Sequence, residues 1–321
     1  MKRAIFVVAL VVVGAVAVSS ASLAALGKFS DWSTAIRVEA LPGTDPSFNG
    51  PDLDGCPFVS PDGKSFYMAS TRPGGLGGID IWVSTREGKN DPWGAPVNVG
   101  APVNSSANDF CPTIARDGRH FYFVSNRAGG CGGADMYTSL RGEDGVFGAV
   151  ANLGCQVNSA ADEASPMPFR DGKNGRVLYF SSIRPGGFAA DAPGALVGDS
   201  DLYSSTWDGT IYGQPVLVES ANSSSEDGQP NVRRDGLELF FFSNRPGTLG
   251  AADIYAATRE KKSESWSTPF NLGPNVNSAA AETRPSLSWD GTTLYFGSTR
   301  PGGEGSTDHY VTTREKVKKN D

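Results

Sequence analysis

Apolar and polar positions alternate along this chain in short runs, and the runs return in a fixed order. An apolar, aromatic run occurs five times: Phe66-Tyr67-Met68, Phe121-Tyr122-Phe123, Leu178-Tyr179-Phe180, Phe240-Phe241-Phe242 and Leu294-Tyr295-Phe296. Such runs suit a strand buried on both faces, and the alternation around them excludes a helical reading. Each run follows an Asp-Gly pair: Asp62-Gly63, Asp117-Gly118, Asp171-Gly172, Asp235-Gly236 and Asp290-Gly291. Asp-Gly accepts the positive φ angles of a tight hairpin, so the strand before it folds straight back. That earlier strand carries Pro57, Pro112, Pro166, Pro230 or Pro285, at spacings of 55, 54, 64 and 55 residues.

A glycine-rich loop follows each aromatic run, as in Arg72 to Gly78. A third strand then opens on an aspartate, as in Asp80-Ile81-Trp82, and a fourth reads like Pro96-Val97-Asn98-Val99. A four-stranded meander repeated at this period predicts an all-β, five-bladed propeller over residues 30–315. After Tyr310 to Arg314 the chain has no fourth strand left. The segment Trp32 to Glu39 matches Trp266 to Gly273, so the N-terminal strand is expected to complete the C-terminal blade. Closure of this kind removes the free sheet edge. A sixth blade would need Leu41 to Leu53, which is too short.

Residues 1–24 read as a signal peptide. Lys2 and Arg3 precede an apolar run of 15 residues, Ala4 to Val18, and small residues follow. The run falls short of the ~20 residues of a spanning helix, so no membrane span is expected after cleavage. Loss of Lys2 and Arg3 takes the formal net charge from −7 to −9. An acidic protein repels phosphate backbones, which argues against nucleic acid as a partner. Residues 316–321 read as a charged tail. The mature chain is long enough to bury a substantial core in one domain.

The turn Ser60-Pro61-Asp62-Gly63, the Arg-Pro-Gly-Gly loops followed by Asp-Ile-Trp or Asp-Ile-Tyr, and Val-Asn-Ser before the next blade resemble the TolB-like family of WD-type propeller repeats, in the bacterial envelope version found fused to OmpA-like domains. The resemblance covers nearly all of residues 30–315. It implies a protein-binding or scaffold module of the periplasm or the secreted fraction. It is specific for the fold and weak for function.

Three charged positions recur in every copy. An acid stands three residues before the proline: Asp54, Asp109, Glu163, Asp227 and Glu282. An arginine ends the second strand: Arg72, Arg127, Arg184, Arg245 and Arg300. An aspartate opens the third: Asp80, Asp135, Asp201, Asp253 and Asp308. All lie at the glycine-loop end of their blades. One reading is a structural latch, in which Arg–carboxylate pairs and aspartate-to-backbone bonds hold the glycine-rich loop. The other is a cation site: the acids outnumber the arginines, and five first-strand carboxylates around an axis could hold Ca²⁺.

The positions flanking the proline vary most. Cys56, Cys111, Ser165, Gln229 and Arg284 precede it, and Phe58, Thr113, Met167, Asn231 and Ser286 follow. By strand alternation they share one face, with Val59, Ile114, Pro168, Val232 and Leu287 on the other. Arg284, Gln229, Asn231, Thr113 and Ser165 are therefore the expected ligand contacts, and Arg284 either anchors an anion or neutralises the acidic ring. Copy three departs most, with insertions at Lys173 to Arg176 and Phe188 to Gly198.

Four cysteines in an exported chain suggest disulfides. Cys131 and Cys155 end neighbouring antiparallel strands and are the expected bridge. Cys56 and Cys111 can pair only if their Cα atoms come within roughly 7 Å. The lack of CxxC spacing and the presence of only two histidines argue against zinc, and His120 and His309 read as packed side chains. These observations predict an exported, non-catalytic binding propeller that engages an envelope protein or cell-wall glycan through its glycine-loop face. The alternative is a carboxylate- or metal-dependent hydrolase of a glycan or lactone at the channel mouth.

Overall fold

The computed structural model describes residues 28–171, 175–188 and 199–317. The leader, the core of the Lys173 to Arg176 insertion, most of Phe188 to Gly198 and the end of the tail lie outside these residues. The chain forms five antiparallel sheets of four strands each. In blade one the strands are Asp54–Val59, Ser65–Ser70, Asp80–Thr85 and Val97–Asn98. The first strand is buried along its whole length, and the second almost so. The hairpin glycines take the positive φ the sequence demands, +74° at Gly63 and +79° at Gly291.

The ring closes as expected. Ile36–Arg37 pairs antiparallel with Asp308–Thr313, in the register Ile36 to Val311 and Arg37 to Tyr310. Leu41 to Leu53 is no blade. It is the connection into blade one, and Phe48 within it is fully buried. One hydrogen bond repeats at every blade boundary, from the first strand's acid N–H to a carbonyl of the preceding blade. It runs from Asp109 to Ile79, Glu163 to Ala134, Asp227 to Ser200, Glu282 to Ala252 and, across the closure, Asp54 to Thr307.

The core sits between blades. Phe58, Tyr67 and Ile81 of blade one pack with Ile114, Phe121, Phe123 and Tyr137 of blade two. A buried asparagine then ties each connection back to the third strand of the preceding blade. Asn104 accepts from the Ile81 N–H at 2.9 Å and donates to the Ile81 carbonyl at 2.9 Å. Asn158, Asn222 and Asn277 do the same for Met136, Leu202 and Ile254. Asn49 fills this place at the closure, bonding the His309 N–H and carbonyl. This is the physical content of the Val-Asn-Ser pattern: one amide satisfies two backbone groups that a longer fourth strand would otherwise have to pair. Among the described residues no helix is long and apolar enough to cross a membrane.

Candidate functional site

The acid–arginine pairs form in all five blades. Arg72 meets Asp54 at 2.6 Å, Arg127 meets Asp109 at 2.6 Å, Arg184 meets Glu163 at 2.9 Å, Arg245 meets Asp227 at 2.5 Å and Arg300 meets Glu282 at 3.0 Å. Each acid side chain is wholly buried. The carboxylate also accepts from the connection, as Asp109 does from the Ser105 N–H and hydroxyl. The arginine Nε donates to a second-strand serine, Ser125 in blade two, and its guanidinium stacks on Phe123 and Tyr137.

The third-strand aspartates hold the glycine-rich loops. Asp80 accepts from the N–H groups of Leu76 and Gly77, Asp135 from Cys131, Asp253 from Leu249 and Gly250, and Asp308 from Gly305. The glycines are required by contact. A Cβ on Gly75 would stand 1.9 Å from the Asp80 carboxylate, and one on Gly77 would stand 1.8 Å from the Ala107 carbonyl of the next connection.

A Ca²⁺-binding ring of Asp54, Asp109, Glu163, Asp227 and Glu282 is not assembled. Each carboxylate is consumed within its own blade by a guanidinium and neighbouring donors, so no set of free oxygens faces the axis. Among the described residues no three His, Cys, Asp or Glu side chains are grouped closely enough to hold a metal.

The channel is built from the prolines and their neighbours. Cys56, Cys111, Ser165, Gln229 and Arg284 all stand in the left-handed region, with φ of 50°, 48°, 53°, 58° and 57°. For residues with a Cβ this region costs roughly 1–2 kcal/mol, and a following proline disfavours helical ψ further. The sheet register shifts at the same point in every blade, between Gly55 and Phe58 in blade one. Simple alternation therefore fails here. Cys56, Pro57 and Phe58 all line the channel, where alternation alone would turn Pro57 away. The enclosed space is small, about 40 Å³.

Both disulfides form. Cys56 and Cys111, 4.8 Å apart at Cα, join blades one and two beside the channel. Cys131 and Cys155, 5.4 Å apart at Cα, staple a glycine-rich loop to the end of the neighbouring fourth strand.

The five expected ligand contacts line this channel together but are not equally available. The Thr113 hydroxyl donates to the Pro166 carbonyl, and Asn231 accepts from the Leu287 N–H at 3.2 Å. Both stitch one blade to the next. Ser165 lies 3.3 Å from the Cys111 sulfur. Gln229 keeps a buried Oε1 without a partner, and Arg284 a buried Nε. Arg284 makes no ion pair or hydrogen bond with the described residues. Met167 and Ser286 do not line the cavity.

Electrostatics single out the same corner. Burial pulls the Arg284 pKa below its ordinary value, opposed by the charge of Glu226. Burial raises the Glu226 carboxyl, reinforced by Asp199 and Asp227 and opposed by Arg284. Glu226 was missed in the sequence because it sits beside the recurrent Asp227, in a column that reads Leu53, Asn108, Asp162, Glu226 and Ala281. His309 is fully buried, and burial lowers its pKa to about 4. Its Nδ1 lies 3.0 Å from Asn49 Oδ1, so it is a neutral packed side chain. His120 pairs with Asp117 at 2.6 Å on the opposite face.

No family model matches the chain, and no curated protein matches it. Solved structures do. An α-L-arabinofuranosidase from Lactobacillus brevis is 15% identical, with TM-score 0.57 over 89% of this chain and 96% of that one. An endo-arabinase from Bacteroides thetaiotaomicron is 17% identical, with TM-score 0.56 over 89% of this chain and 99% of that one. TolB from Acinetobacter baumannii is 17% identical, with TM-score 0.43 over 83% of this chain and 51% of that one. At these identities the likeness concerns the propeller fold.

Proposed function

We propose that this protein is an exported propeller that binds a glycan at the glycine-loop mouth of its channel without hydrolysing it. The observation that carries the reading is the chemistry of the channel lining, which among the described residues offers Gln229, Arg284, Ser165, Thr113, Asn231, prolines and a disulfide, and no carboxylate. Glycoside hydrolysis needs two carboxyl groups flanking the bond. The five first-strand acids are each paired with an arginine, and Asp80, Asp135, Asp253 and Asp308 are bonded to glycine-loop N–H groups. The glycan as ligand class is supported by the arabinofuranosidase and the endo-arabinase that share the fold and by the uncommitted amide and guanidinium of Gln229 and Arg284. Two disulfides fit an oxidising compartment outside the cytoplasm.

A second reading, a glycoside hydrolase, is favoured by those same fold neighbours and by one residue. Glu226 carries a raised pKa beside Arg284, which suits a general acid. One experiment separates the two. The mature protein is incubated with arabino- and xylo-oligosaccharides while binding and release of reducing ends are both followed. Binding without release, weakened at least tenfold by Arg284→Ala, supports the binding reading. Release that is abolished by Glu226→Gln replaces it with the hydrolase.

A further inference from the structure

The face opposite the glycine-rich loops carries a feature that the channel reading does not use. The residue just before each Asp-Gly turn varies among the blades: Pro61, Arg116, Arg170, Arg234 and Trp289. Three arginines and a tryptophan thus ring the far end of the propeller. Arg116 of blade two and Arg234 of blade four both direct their guanidinium groups at the Trp289 ring of blade five, at 6.0 Å and 5.2 Å from its centroid. Arg116, Arg170 and Arg234 are exposed and form no ion pair among the described residues. Two like charges are thus gathered on one ring.

The neighbouring aspartates keep their charge, but each already holds partners of its own. Asp235 is gripped by Arg233 at 2.8 and 2.7 Å, Asp290 accepts from Ser288 and Thr292, Asp117 from His120, and Asp171 from Lys262. Next to Trp289 opens a cleft of about 650 Å³, within the usual range for a small-molecule site. Lys28, Lys89, Arg233, Arg234 and Lys316 line it beside Phe29 and Trp289, and they outnumber its two carboxylates, Asp235 and Asp290. On the other side, Arg116 shares a smaller hollow with Arg170 and Arg176. A basic band around an aromatic centre therefore crosses one face of a protein whose net charge is −7.

From this arrangement we infer a second binding site, centred on Trp289, for an acidic sugar unit such as a uronic acid carried on a glycan chain. A planar guanidinium group matches a carboxylate in bidentate geometry. A half-exposed indole and a phenyl ring give a sugar its apolar contact. The face is made of turns, so it offers no open strand edge for an extended peptide to join. The overall negative charge works against a dense polyanion such as nucleic acid and leaves a sparsely charged glycan as the better fit. The sugar part of this inference rests on the glycan reading above; the acidic part rests on the arginines alone.

The test uses the mature protein and a xylo-oligosaccharide bearing one glucuronic acid, with the same oligosaccharide lacking the acid and a short DNA duplex as comparisons. We expect the acidic sugar to bind at least tenfold more tightly than the neutral one. Arg116→Gln/Arg234→Gln should remove that preference and flatten its salt dependence without lowering the melting temperature. Trp289→Ala should weaken binding of the acidic sugar, and Trp289→Phe should keep most of it. Arg284→Ala, at the other mouth, should leave the acid preference intact, so loss of the channel site and loss of this one are read separately. Equal binding of both sugars, DNA bound as tightly as the acidic sugar, or a preference indifferent to the arginine pair would each overturn the inference.

Discussion

Arg284 reaches from blade five onto Gly55 of blade one, where its Nη1 stands 3.1 Å from the position a Cβ on that glycine would take. The equivalent residues in the other blades are Phe110, Ala164, Gly228 and Thr283, so the backbone at this point accepts side chains. At Gly55 it is the guanidinium that occupies the space. Gly55→Ala should therefore displace Arg284 by a few tenths of an ångström while leaving the fold intact. We expect a three- to tenfold loss of glycan affinity in titration calorimetry. The double variant Gly55→Ala/Arg284→Ala should bind no worse than Arg284→Ala alone, because both changes act on one group. Additive losses would show that Gly55 acts by another route.

The latches should be worth most where they are most buried. Removing the partner of a buried charge costs roughly 3–5 kcal/mol, because the remaining charge stays desolvated. Arg127→Met strands the wholly buried Asp109 carboxylate. At about 2–4 °C per kcal/mol for a domain of this size or slightly smaller, the melting temperature should fall by several degrees. Adding Asp109→Asn should restore part of it, since an amide oxygen still accepts from Ser105 and no bare charge is left. If the double variant melts below the single one, the carboxylate's bonds to Ser105 outweigh the cost of its unpaired charge.

His309 sets a pH dependence with a definite sign. Its folded pKa of about 4 lies below the ordinary value of 6.5, so the unfolded chain binds the proton first. Stability rises with pH wherever the unfolded state binds more protons. The neutral, buried ring therefore costs nothing above about pH 6.5. Its cost grows as pH falls towards 4 and levels off below. The window corresponds to about 3 kcal/mol at most. His309→Gln should flatten the acid side of a melting-temperature profile between pH 4 and 7 relative to the parent. Parallel profiles would mean that the folded protein binds the His309 proton as readily as the unfolded chain does.

Much of the fold was legible because five copies of one sentence align with each other. The Asp-Gly hairpins, the aromatic second strands, the latch and the closing strand all depend on residues that recur. What escaped was whatever recurs as backbone and varies as side chain. The left-handed residue before each proline is Cys56, Cys111, Ser165, Gln229 or Arg284, and none is the glycine that normally announces positive φ. The bulge there turns Pro57 towards the channel and defeats simple alternation. The recurrent acids allowed both the latch and the cation ring, because both readings place them at the same end of each blade, and spacing alone does not say that Arg72 and its counterparts take them one by one. The column Pro61, Arg116, Arg170, Arg234 and Trp289 was as variable as the channel column, yet it lay beside turns whose Asp-Gly seemed to explain them fully.

Ring closure is the relationship on which the rest depends, and it can be broken cleanly. Ile36–Arg37 is only two residues long, yet the segment around it bonds far beyond that pairing. Ser33 donates its N–H to the Thr313 carbonyl at 2.7 Å, and Ala35 donates to the Asn275 carbonyl at 2.8 Å. Trp32 is buried against Phe240 of blade four, 6.2 Å between centroids, with the Arg314 guanidinium 4.5 Å from its ring. The segment thus clamps blade five to blade four as well as covering the edge of Asp308–Thr313. A chain starting at residue 41 would expose that edge and the apolar groups beneath it, and exposed edges pair with other chains. We expect it to melt at a markedly lower temperature and to elute as dimers or larger species. A synthetic peptide of residues 28–40 should restore the monomer by adding back as the missing strand. A truncated chain that stays monomeric and melts like the parent would show that the three remaining strands of blade five are held by blades one and four alone.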